Sequence, residues 1–224
     1  MTRNGLAIVS IAMILLMIAI AAFVATSLAG NAQLPTHWGI DGKPDSFSGK
    51  WTALLLPAVI AGGVSLLFYV LPAIEPRRQG LERSQGLYLW GWVALLVMSL
   101  LIQLAVVSVA LEWAIAGTRF MLAGIGIVFL MIGNQLGKSR SMYMMGFRTP
   151  WTLASEEVWI KTHRLAGKLM ASGGGLLLLA AFVPLPGDAV AVLLLAVIAV
   201  GVGLPVLYSY VLWRREQAAG QAKG

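Results

Sequence analysis

Six apolar runs, each about as long as a bilayer's hydrocarbon core is thick, constrain this chain more than anything else in it. They cover roughly residues 6–29, 52–74, 87–115, 119–136, 167–184 and 189–213. A helix needs about 20 apolar residues to cross the core. Backbone N–H and C=O groups in lipid must pair within their own segment, so each run is expected to be helical. The period-2 alternation of a membrane barrel is not seen. Charged residues make up 11% of the chain, against about 25% in a soluble domain. The expected fold class is therefore all-α, a polytopic integral membrane protein with six transmembrane helices. The first run has Arg3 ahead of it and Ser27-Leu28-Ala29 behind, as a secretory signal would. Its apolar stretch exceeds the roughly 7–15 residues of a signal's core, so it is read as a span.

The basic residues supply the direction. With both termini inside, all but Lys43, Lys50 and Arg119 of the 16 Lys and Arg lie on the cytoplasmic side. The positive-inside rule favours that orientation over its inverse. The net charge of +7 is then chiefly a topology signal that also suits anionic lipid heads, and direct nucleic-acid binding is the weaker reading. Cysteine is absent, which removes disulfides, thiol nucleophiles and Cys-ligated metals. Polar residues in the spans are few. Gln103 sits mid-span, Glu112 near an outer end and facing Arg119 as its expected partner, and Asn134 and Gln135 near an inner end. Gly62-Gly63, Gly173-Gly174-Gly175 and Gly201-x-Gly203 are expected to let helices approach closely, and Pro57 and Pro205 to kink theirs. No internal repeat is visible. The chain divides into a two-span unit, 1–86, with an extracytoplasmic loop at 30–51, and a four-span unit, 87–224, with a cytoplasmic loop at 137–166.

The outer loop reads LPTHWGIDGKPDSFSGKW from residue 34. Its glycines and prolines exclude a regular helix. His37, Asp41 and Asp45 are of metal-ligating type, but nothing in their spacing fixes a site. The preferred reading is a surface loop without a metal, with Trp38 and Trp51 at the membrane interface. Ligand sensing through His37, Trp38, Asp41 and Asp45 is the functional alternative.

The inner loop holds the chain's one dense island of charge and aromatics, GFRTPWTLASEEVWIKTHRL, residues 146–165. Thr149-Pro150 reads as an N-cap followed by Pro in the first turn. Ser155, ahead of Glu156 and Glu157, is the alternative N-cap. Val158, Thr162, Leu165 and Leu169 mark one helical face, and Glu157–Lys161 forms an i,i+4 pair. The helix is expected to run on into the fifth span beyond Gly167. Trp151 and Trp159 would then sit at headgroup depth. Arg148, at the positive end of a helix dipole, needs a partner: Glu156, Glu157 or a carbonyl near Asn134.

The string GNQLGKSR…GFRTPWTLASEEVWIKTHRLAG, residues 133–167, closely resembles the signature of the SdpI family of bacterial membrane proteins. Gly133, Asn134, Gly137, Lys138, Gly146, Arg148, Thr149, Pro150, Trp151, Thr152, Trp159, Thr162, His163 and Arg164 fit that pattern. Leu34, Pro35, His37, Trp38, Gly42 and Asp45 resemble the extracytoplasmic module that often precedes it. The family often carries an Asn shortly before the Gly-x-Arg-Thr-Pro-Trp string, where this chain has Ser141-Met142-Tyr143. The resemblance implies a protein of the bacterial cytoplasmic membrane. It implies immunity to a secreted toxic peptide outside and retention of a transcriptional repressor inside, with no cofactor. Asn134, Arg148, Thr149, Pro150, Trp151, Thr152, Trp159, His163 and Arg164 become the candidate partner-binding residues.

Three functions compete: a non-enzymatic immunity and signalling protein, a small carrier or exporter, and a membrane enzyme. Few span polars and no repeats weigh against the carrier. Neither His-Glu-x-x-His nor Gly-x-Ser-x-Gly occurs. His163 with Glu157 is a possible acid/base pair, though a solvated helix face is the plainer reading.

Overall fold

A computed structural model of the chain describes residues 2–39, 42–113, 115 and 117–221. The elements run α1 (Arg3–Thr26), β1 (Gln33–Trp38), β2 (Pro44–Gly49), α2 (Lys50–Ile74), α3 (Arg78–Arg83), α4 (Gln85–Ala110), α5 (Gly117–Leu136), α6 (Pro150–Ala154), α7 (Glu156–Ala180), α8 (Gly187–Ile198), a π-helical turn (Ala199–Gly203) and α9 (Leu204–Gln221). Among the described residues, α1, α2, α4, α5 and the continuous rod Gly187–Gln221 are long and apolar enough to cross a membrane. The chain is a multi-pass, mostly helical membrane protein. The apolar run expected at 167–184 is the second half of α7, where Lys168 and Gly173-Gly174-Gly175 dilute it.

The outer loop departs from expectation. It is an antiparallel β-hairpin, Gln33 opposite Gly49, with register shifts around His37. Short strands fit here because they pair backbone groups across the hairpin in a segment whose Gly and Pro disfavour a helix. Gly42 turns the tip with φ +77°, and its carbonyl accepts from Thr118 Oγ1 at 2.6 Å, which ties the hairpin to the start of α5. Lys50 folds back to the end of α1, donating to the carbonyls of Ala25 and Leu28 at 2.9 and 2.8 Å. Both carbonyls lie at the C-terminal end of α1, where helical pairing runs out.

α5 and α7 pack backbone to backbone. A Cβ on Gly133 would lie 2.5 Å from the Ala171 nitrogen, and one on Gly174 2.5 Å from the Leu130 nitrogen. A Cβ on Gly126 or Gly167 would meet facing backbone at 2.8 or 2.7 Å. Gly174 thus does what the glycine triplet was expected to do, while Gly173 meets the Val197 side chain. Gly62, Gly63 and Gly203 face open space instead. They lie on surfaces turned away from the bundle, which periodicity alone does not reveal. α2 continues through Pro57 and Pro72, and the irregularity expected at Pro205 is the π turn just before it.

Gln103 is fully buried and binds three helices together. Its amide donates to Met17 O of α1 at 2.8 Å and Leu54 O of α2 at 3.2 Å. No ion pair joins Glu112 to Arg119. Glu112 instead lies two residues past the end of α4 in a left-handed conformation, φ +51°.

Candidate functional site

One end of the bundle gathers the N-terminus, the end of α2, residues 139–155 and α9. Arg3 lies over the Tyr69 ring at 4.9 Å, and Trp151 donates to Ser209 Oγ. Here the inner island is folded into a compact knot.

His163 is its centre. The imidazole is fully buried and stacks on Trp159 with centroids 3.9 Å apart. Nδ1 lies 2.8 Å from the Trp159 carbonyl, and Nε2 accepts the Phe147 N–H at 2.9 Å. One neutral tautomer, protonated at Nδ1, satisfies both bonds. Burial pushes its pKa down to about 4, against a smaller upward pull from the Trp159 carbonyl. His163 is therefore neither half of an acid/base pair with Glu157 nor part of a solvated face. Glu157 pairs with Lys161 at 2.5 Å on the exposed side of α7, as expected from their spacing. Gly146 makes the approach possible. Its φ is +105°, and a Cβ there would sit 2.6 Å from His163 Nε2.

The two alternative caps both form, because the segment is two consecutive helices and not one. Thr149 caps α6, with a reciprocal bond between it and Thr152, and Pro150 opens that helix. Ser155 accepts the Val158 N–H to start α7. Thr152 is buried, its hydroxyl donating toward the Phe147 carbonyl at 2.7 Å. Trp159 is not an exposed anchor. Trp159 is fully buried and donates to Ser139 Oγ at 3.2 Å. Trp151 is half-buried against α9, its ring 5.3 Å from Tyr210 and 6.4 Å from Trp213. The buried stripe of α7 is Val158, Trp159, Thr162, His163, Ala166, Gly167 and Met170. It holds Val158 and Thr162 of the expected face but leaves Leu165 and Leu169 only partly covered.

Arg148 is exposed and donates to the Tyr143 carbonyl at 2.8 Å, not to Glu156, Glu157 or the end of α5. Asn134 and Arg164 are exposed and line a separate groove between α5 and α7. The knot thus unites Thr149, Pro150, Trp151, Thr152, Trp159 and His163 and leaves three expected residues outside it.

Two decisive residues come from the other half of the chain. Glu75, 2% exposed at the end of α2, accepts the N–H groups of Arg77 at 2.8 Å, Tyr143 at 3.0 Å and Met144 at 2.7 Å. Arg77 donates to Ser141 Oγ and to Leu153 O at 3.0 Å, and covers the Tyr143 ring at 4.7 Å. Ser141-Met142-Tyr143, where the chain departs from its resemblance, is therefore the segment this pair grips. A carboxylate gathering backbone donors in a site shielded from water binds strongly. Sequence reading passed over Glu75 because Pro76-Arg77-Arg78 beside it read only as a cytoplasmic charge cluster. The signal was there: a lone acid at the last turn of a span.

At the opposite end, His37 Nδ1 and Asp45 Oδ1 meet at 2.6 Å across the hairpin, both exposed. Trp38 is partly buried beside Gly117, and Trp51 is exposed at the start of α2. Asp41 lies outside the described residues. No cluster of three metal-ligating side chains occurs among the described residues.

The profile of the SdpI/YfhL protein family matches residues 138–209, the segment that folds into the knot, α7, α8 and the start of α9. The matched segment holds most of the knot, and the two-span unit lies ahead of it. A domain of unknown function, DUF1648, matches residues 12–61, from α1 through the hairpin into α2. The chain is 21% identical over 183 residues to the immunity protein SdpI of Bacillus subtilis (strain 168), spanning 82% of this chain and 84% of that one. No solved structure matches it.

Proposed function

We propose that this protein is a non-enzymatic immunity and signalling protein of the bacterial cytoplasmic membrane. Six helices cross the bilayer, α7 from Gly167 onward, with both termini inside. The hairpin then faces out and the knot faces in. Similarity to an immunity protein along most of both chains supports the class. One structural observation carries the division of labour: the hairpin is bonded to α5 through Thr118, α5 packs backbone to backbone on α7, and α7 carries the knot. A secreted toxic peptide engaging His37, Trp38, Asp41 and Asp45 would favour one helix arrangement through its differential affinity. The inner surface around Arg148 and Trp151 would present that arrangement to a cytoplasmic repressor. In this reading 1–86 is the sensing unit and 87–224 the responding one. A buried, neutral, doubly bonded His163 suits a structural role better than proton transfer.

The test is protection. Cells expressing the protein are challenged with peptides secreted by a related toxin producer, and His37→Ala/Asp45→Ala is compared with wild type at equal membrane levels. Loss of protection in that variant is expected. Wild-type protection from it, or no protection by wild type against any such peptide, overturns the reading.

A further inference from the structure

Two shallow cavities meet on the outer face of the α5–α7 pair. One, of 300 Å³, has Lys138, Arg164 and Lys168 around a floor of glycine. The other, of 380 Å³, is lined by Leu130, Met131 and Trp90. Asn134 and Ala171 line both, so the two form one groove. Its character changes along its length, from cationic beyond the end of α5 to apolar about two turns inside it. Gly133, Gly137 and Gly167 keep the floor low, because the same glycines that let the helices touch leave no side chains to fill the surface between them.

The cations of this groove, unlike Arg78, Arg83 and Arg215, share their cavity with no acid. Arg77, Arg140, Arg148 and Lys161 are each held by a protein carbonyl or carboxylate. Lys138, Arg164 and Lys168 are exposed, and among the described residues their charged groups have no such partner. No acid lines either cavity. Three like charges converging without a counter-charge repel one another, and an anion at their centre relieves that. Basic pockets between helices at the membrane surface suit anionic lipid head groups.

We propose that this groove holds one anionic phospholipid. Its phosphate lies among Lys138, Arg164 and Lys168, and an acyl chain runs along Leu130, Met131 and Trp90. Free phosphate shares the head-group chemistry but has no use for the apolar half. The proposal does not depend on what the hairpin senses.

Native mass spectrometry of the full chain in neutral detergent tests it, titrating phosphatidylglycerol, phosphatidylcholine or inorganic phosphate. Wild type should bind one phosphatidylglycerol roughly tenfold or more tighter than phosphatidylcholine. Lys138→Gln/Arg164→Gln/Lys168→Gln should weaken that binding on the order of a hundredfold, and Lys168→Gln alone about fivefold should the triple variant fold poorly. A charge-matched control, Arg83→Gln/Arg214→Gln/Arg215→Gln, should stay within about threefold of wild type. Equal binding of the two lipids overturns the site. So does an equal loss in both triple variants, or inorganic phosphate binding as tightly as phosphatidylglycerol.

Discussion

At the scale of single residues, the knot works by removing freedom from groups that sequence would leave in water. His163 accepts a backbone N–H at Nε2, and a proton added there would meet the Phe147 donor head-on. The folded imidazole therefore stays neutral down to about pH 4, while the unfolded one takes a proton near 6.5. Between those values the unfolded state binds more protons, so stability is complete above pH 6.5 and is lost as pH falls toward 4. The loss is on the order of 3 kcal/mol. Unfolding in detergent across that window, wild type against His163→Gln, should show the acid-side loss in wild type and a flatter profile in the variant. Parallel profiles would mean that His163 does not titrate in this way. Its spacing from Trp159 was legible, but its burial was not. An exposed i,i+4 neighbour and a stacked core histidine look alike until the loop that covers them is placed.

Among the elements, the α5–α7 contact sets the mechanics. A side chain at Gly133 has facing backbone to displace, not the end of a flexible side chain. Overpacking against a fixed backbone costs about 1–3 kcal/mol or more. Gly133→Val should lower stability by at least about 2 kcal/mol in thermal unfolding followed by tryptophan fluorescence. Gly62→Ala, with open space around it, should stay within about 1 kcal/mol of wild type. A silent Gly133→Val would mean the helices do not touch there. Both positions looked alike as sequence. Helices, their approximate ends and both N-caps followed from local rules, since capping and apolar length act within one segment. The hairpin did not. Its pairing depends on strands on either side of a turn finding each other, and its register is irregular at His37.

Across the whole molecule, charge is sorted to two ends. The hairpin end carries Lys50 and Arg119, and the knot end carries Arg3, Arg77, Arg140 and Arg148. The absence of native cysteine makes the orientation directly measurable. In intact cells, a membrane-impermeant maleimide should label Ser46→Cys, and it should label Ala154→Cys only after permeabilisation. The opposite pattern would invert the topology, and labelling of both in intact cells would break it. The amino-acid sequence alone was enough to read a multi-pass helical membrane protein that resembles the SdpI family. It also determined where the helices of the island begin, because apolar length, capping chemistry and motif spacing are properties of contiguous residues. It took the folded chain to show that Glu75 and Arg77, more than 60 residues upstream, hold the motif loop, and that His163 and Trp159 form its interior. Those facts depend on which helix ends come together, and a buried carboxylate's partners are backbone N–H groups, which every residue but proline carries and no sequence pattern marks.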